Sequence, residues 1–142
     1  MKISMGSDHA GFDLRKELAD YLREKGHDVI DCGPDSKESC DYPDFAKKAG
    51  RLLQEKEVDR TILVCGSGIG ISIAANKLKG IRCALCSEPL SAELSRRHND
   101  ANALAMGARL IGSDMAKKIV DIFLTTDFEG GRHSRRIEKI EE

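Results

Sequence analysis

TILVCGSGIGISIAANK, residues 61–77, passes from an apolar β-rich run into a cysteine, then through glycines at every second position into a helical pattern. The chain on either side repeats that alternation. Upstream, KISMGS reads as a first strand, followed by a helix whose Leu14, Leu18, Tyr21 and Leu22 fall at the i, i+4, i+7, i+8 spacing of one apolar face and which Gly26 ends. DVIDC reads as a second strand, and Pro43 opens a helix with the stripe Phe45, Ala46, Ala49, Leu52 and Leu53. Downstream, the Ala-rich helix ISIAANK leads to the strand IRCALC, the helix LSAELSRRH, the strand ANALAMGARLI and the helix SDMAKKIVDIFL. Strands that alternate with helices and lack polar alternation predict an α/β fold, a parallel sheet sandwiched between helix layers. The tail EGGRHSRRIEKIEE adds a glycine pair, a basic cluster and a final helical turn or two.

With 142 residues and 40% apolar content, the chain is expected to form one domain, residues 1–142. A formal charge of −1 with both signs interspersed, two Tyr, four Phe and no Trp argue against nucleic acid as a partner. No apolar run suits a signal peptide or a bilayer span, so the expected location is the cytoplasm, away from membranes. The five cysteines are an odd number at low density and read as free thiols. Cys83 and Cys86 form a C-x-x-C, but on a buried strand they point to opposite faces, which disfavours metal or redox pairing.

In open α/β sheets ligands bind beyond the carboxyl ends of the strands. The residues expected there are Asp8 and His9 after the first strand, Asp41 and Tyr42 in the second connection, Cys65 with its glycines, Ser87 and Glu88, and Arg109. Gly66, Gly68 and Gly70 let backbone approach a ligand closely, and amides at the start of a helix favour negative charge. The loop is therefore an anion cradle, either for a phosphate or for an oxygen that turns negative during reaction. A thiol in that setting has its thiolate stabilised, which singles out Cys65, although a cysteine here can also be merely the last buried residue of a strand.

Three other chemistries compete for a cysteine in this position. A cysteine phosphatase places an arginine six positions after its nucleophile, and Ile71 stands there. Zinc needs further Cys or His at close spacing, and none is near. A dinucleotide loop is imitated by the glycines with Glu88, but the third glycine follows after one intervening residue, not two, and the loop follows the third strand, not the first. Among the four histidines, His27 reads as turn surface, whereas His98 ends a helix in a connection into the fifth strand that reads as facing the ligand side. Arg109, Arg132 and Arg136 suit a phosphate dianion; the last two, four apart, share a helix face from which Arg135 points away. A solvated helix end and a solvated basic tail are the plain alternatives for His98 and these arginines.

SDHAGF, DYPDFA, CGSGIGISIAANK, CSEPLSAELSRRHNDANALAMGAR and EGGRH, taken in order across essentially the whole chain, resemble the RpiB/LacAB sugar-phosphate isomerase family. The resemblance implies a three-layer α/β/α sandwich with a five-stranded parallel, Rossmann-like sheet, no metal or other cofactor, and a homodimer with a shared active site, with further pairing of dimers as an alternative. It implies an aldose–ketose isomerase that interconverts ribose 5-phosphate and ribulose 5-phosphate; six-carbon substrates, allose 6-phosphate or galactose 6-phosphate, are the alternative, and a non-catalytic binding module is a more distant one. By the same resemblance Cys65 is the base, His98 helps open the sugar ring, and Asp8 contacts sugar hydroxyls. The loop Gly66, Ser67, Gly68, Ile69 and Gly70 stabilises the enediolate, with Ser67 and Asn99 bonding substrate. His9, Arg109, Arg132 and Arg136 take the phosphate, which gives the tail, about 129–142, a role in the site, and Tyr42 lines the pocket. His98, Asn99 and Arg109 are expected to arrive from the neighbouring subunit. Ser67 stands where many relatives carry threonine, and Ile71 where another branch carries a glutamate base.

Overall fold

The structure, a computed structural model, describes residues 1–142. Its elements run β1 (Lys2–Ser7), α1 (Phe12–Glu24), β2 (Asp28–Asp31), α2 (Tyr42–Gln54), β3 (Arg60–Cys65), α3 (Ile69–Asn76), β4 (Cys83–Leu85), α4 (Pro89–Asn99), β5 (Ala103–Gly107), α5 (Ser113–Thr125) and α6 (Arg132–Ile140). The five strands form one sheet in the order β2-β1-β3-β5-β4, and every pairing is parallel. The predicted three-layer α/β/α sandwich is therefore what the chain forms.

Side chains of the central strands alternate between two cores, as a period of two requires. Ile3, Met5, Ile62, Val64, Leu104 and Met106 face α1, α4 and α5, where Leu18, Ala92, Ile119 and Phe123 meet them. Leu63, Cys65, Ala103 and Ala105 face α2 and α3, against Ala46, Ala49, Ile71 and Ala75. Helix α2 sits close to this second face at β1: a Cβ on Gly6 would stand 2.9 Å from the Phe45 carbonyl oxygen.

Order along the sheet decides where a ligand can go. From β1 the chain steps outward to β2, then crosses back over β1 to β3, so the connections leaving β1 and β3 diverge and open a crevice between their carboxyl ends. Asp8 follows β1 and Cys65 ends β3.

Three element predictions need correction. IRCALC is no buried strand: only Cys83–Leu85 pair, at the sheet edge, and Leu85 is 43% exposed. Cys83 and Cys86 nevertheless face opposite cores. The fifth strand stops at Gly107 rather than Ile111, since the chain turns there to lay Ala108 and Arg109 against the Cys65 loop: their amides donate to the carbonyls of Cys65 and Gly66, each at 2.9 Å. The tail forms a full nine-residue helix, anchored by buried His133.

Candidate active site

The loop after β3 is held by its own backbone. Gly68 is the N-cap of α3 with φ +77°, and a Cβ there would lie 2.6 Å from Leu85 Cδ1 and 2.7 Å from the Met106 carbonyl carbon, so only glycine fits. From that position its amide donates to Cys65 Sγ at 3.2 Å. The Ile69 amide donates to Ser67 Oγ at 3.1 Å, which leaves the Ser67 hydroxyl hydrogen free to be given to a ligand. Opposite, Gly70 faces the Tyr42 ring, whose Cζ is 2.6 Å from where a Cβ would be.

These groups line one cleft of about 460 Å³ at the carboxyl edge: Asp8, Tyr42, Cys65, Gly66, Ser67, Ile69, Gly70, Arg109 and Leu110. Asp8 is buried, and its Oδ1 accepts from the Gly11 amide at 3.0 Å, which fixes the carboxylate at the rim. Arg109 is exposed, with Nη1 3.3 Å from where a Cβ on Gly66 would be. It thus lies over the Cys65 loop of its own chain, which corrects the expectation that it comes from a neighbour. His9, next to Asp8, accepts a hydrogen bond on Nδ1 from the Cys40 amide at 3.2 Å.

The remaining expected residues lie elsewhere, for a topological reason. In a parallel sheet, strand-to-helix connections gather at the carboxyl edge and helix-to-strand connections at the opposite one. His98 and Asn99 end α4 and lead into β5, so they sit at the amino edge, where the Asn102 carbonyl accepts from Thr61 at the start of β3. The reading that this connection faces the ligand side is therefore overturned. Arg132 and Arg136 lie exposed on α6, whose His133 ring stacks on His98 with centroids 4.5 Å apart and planes 15° apart. None of the four lines the Cys65 cleft of the same chain.

Other thiols are set for packing. Burial pushes Cys83 up to about 12 and Cys86 up to about 11, and also raises Cys32. Glu88, the acidic residue of the dinucleotide alternative, instead caps α4: its carboxylate accepts from the Ser91 amide at 2.9 Å, and hydrogen bonds from Ser91 hold it below the usual carboxylate range.

Sequence reasoning missed Arg15. It is 1% exposed on α1, with Nη1 2.7 Å from Ser7 Oγ, Nη2 2.6 Å from the Pro34 carbonyl and Nε 3.1 Å from Asp31 Oδ1. Ser7 Oγ in turn bonds the Asp8 carbonyl at 2.9 Å, so this buried guanidinium braces the β1 end of the cleft. A signal was present: Arg15 shares the apolar stripe of Leu18 and Leu22.

A family model described as Ribose/Galactose Isomerase matches residues 3–140. Ribose-5-phosphate isomerase B of Escherichia coli is 52% identical, covering 98% of this chain and 93% of that protein. The structure of Clostridium thermocellum ribose-5-phosphate isomerase B superimposes with a TM-score of 0.98 at 52% identity, over 99% of this chain and 95% of the other. A ribose 5-phosphate isomerase from Thermotoga maritima gives 0.97 at 53% identity, over 99% and 97%.

Proposed function

Because the chain belongs to the ribose/galactose isomerase family, we propose that it interconverts ribose 5-phosphate and ribulose 5-phosphate with Cys65 as the base. The observation that carries the assignment is the Gly68 amide on Cys65 Sγ, at the floor of a cleft also lined by Asp8, Ser67 and Arg109. A backbone N–H aimed at sulfur at a helix start gives the base a fixed hydrogen-bond donor within the cleft.

In the proposed reaction the thiolate takes the proton from C2 of the open-chain aldose. The electrons flow to O1, the loop amides and the Ser67 hydroxyl meet the charge on the enediolate, a hydroxyl proton shifts from O2 to O1, and the thiol returns its proton at C1. Asp8 orients sugar hydroxyls, Tyr42 walls the pocket, and His9 and Arg109 hold the phosphate end, whose binding positions the reacting carbons.

His98, Asn99, Arg132 and Arg136 act from a second copy. Their place at the far edge of their own sheet supports this, as do the exposed Ile69 and Ile73 on α3, Leu85 on β4 and Leu90 and Leu94 on α4, an apolar band on neighbouring elements that a partner subunit would cover. The functional unit is then a homodimer in which His98 opens the ring and the 129–142 segment completes the phosphate site of its partner.

The description of the family as acting on ribose or galactose keeps a six-carbon phosphate as a second reading. A coupled assay with ribose 5-phosphate and with six-carbon phosphates separates the two by kcat/KM. Cys65→Ala is expected to lower kcat by about a hundred- to ten-thousand-fold with KM little changed. Near-normal turnover removes the thiol from the chemistry.

A further inference from the structure

His98, Glu129 and His133 come from three places, the end of α4, the loop before α6 and the first turn of α6, yet their ligand atoms all lie within 4.8 Å of one another. The His133 side chain is only 8% exposed, and its Nε2 is buried with no hydrogen bond; the Glu129 carboxylate stands 3.5 Å away. A buried ring nitrogen left without a partner is costly. Beside that nitrogen stands the Glu129 carboxylate, and the His98 imidazole lies stacked on the ring with planes 15° apart.

We propose that His98, Glu129 and His133 bind one divalent transition-metal ion of the zinc class. Two imidazole nitrogens and one carboxylate oxygen suit zinc, whereas magnesium and calcium favour all-oxygen shells. Three protein ligands leave a fourth position for water. Donors about 2.0–2.2 Å from a tetrahedral ion stand about 3.4 Å apart, so a separation of 4.8 Å has to contract by about 1.4 Å, which requires the half-buried His98 ring to turn out of its stack on His133 and the exposed Glu129 side chain to close in. The Glu129 backbone is already fixed, its amide donating to the Arg97 carbonyl at 3.1 Å. Arg97 is also the competing cation, with Nη1 3.6 Å from Glu129 Oε2.

Occupancy switches the isomerase off, because a metal on His98 occupies the lone pair with which the ring exchanges a proton in ring opening; this consequence rests on the role given to His98 above. The primary sequence conceals the cluster, since position 98 is about thirty residues from the other two.

Titration of the full-length protein with zinc chloride against a chromophoric chelator is expected to show one tight site per chain, kept in Cys65→Ser. Glu129→Gln, at an exposed position, and His133→Ala should each weaken it at least tenfold, the low end of what losing even an outer-shell partner costs. Cobalt substituted for zinc should give nitrogen–oxygen ligand-field bands without sulfur charge transfer. Unchanged affinity in Glu129→Gln, or a thiolate band lost in Cys65→Ser, overturns the site. Turnover of ribose 5-phosphate should fall in step with zinc occupancy in the unsubstituted protein, whereas the same zinc concentration should leave Glu129→Gln at its own zinc-free rate, whatever that rate is. Stoichiometric binding without inhibition overturns the switch and the ring-opening role of His98, while leaving the metal site standing.

Discussion

Arg15 shows how one charged residue can sit where a helical stripe calls for an apolar one. Burial lowers its pKa and the neighbouring Asp31 opposes that, so the pair is costly to form and costlier to break. Replacing Arg15 with Met strands Asp31 and frees Ser7 and the Pro34 carbonyl; denaturant unfolding should show a loss of about 3 kcal/mol. Asp31→Asn in the same chain should return part of it, and a loss within error of zero means the guanidinium does not brace β1. Ser67 makes the complementary case, where a small change tunes chemistry rather than stability. Ser67→Thr keeps the donor and narrows the cleft, so discrimination against a six-carbon relative to a five-carbon phosphate should rise about tenfold, the value of one methyl in a pocket. Equal kcat/KM ratios before and after would mean that the pocket wall lies elsewhere. At this scale Cys65, Ser67, Asp8 and Tyr42 were legible because strand ends point into the crevice, while Arg15 was hidden by a pattern that treats every stripe position as apolar.

Elements were legible where periodicity was long and less so at sheet edges. The stripe of α1 runs over three turns and emerged as drawn, but β4, three residues at the edge, reads in sequence like a central strand because both its cores are apolar. Its Cys83 carries a pH signature. The thiol ordinarily ionises near 9 and in the fold near 12, so the unfolded chain loses its proton first. Stability from this group is complete below about pH 9 and lost as pH climbs towards 12. Melting temperature should therefore decline over that window, and Cys83→Ala should flatten the decline without altering its onset at lower pH. Equal slopes in the two proteins would show that Cys83 titrates in the fold as it does unfolded. Connections were the weakest inference: polarity alone suggested that the α4–β5 link faced the ligand, whereas handedness and parallel pairing send it to the opposite edge.

That misplacement has a consequence for the whole molecule. If the residues at the amino edge serve a site at the carboxyl edge, the distance has to be bridged by a second copy, and a dimer whose subunits exchange residues makes two composite sites. Cys65→Ala and His98→Ala, each purified alone, should turn over cyclic ribose 5-phosphate poorly, since every site in either homodimer lacks one group. After mild dissociation and remixing, half the dimers are mixed, and in each of these one site carries both substitutions while the other carries neither. Activity should recover to about a quarter of that of the unsubstituted enzyme, the share expected from random pairing. The rate of recovery should follow subunit exchange measured by native mass spectrometry on tagged chains. Were both groups to serve the site of their own chain, each mixed dimer would hold two defective sites, and remixing would restore nothing at any exchange time.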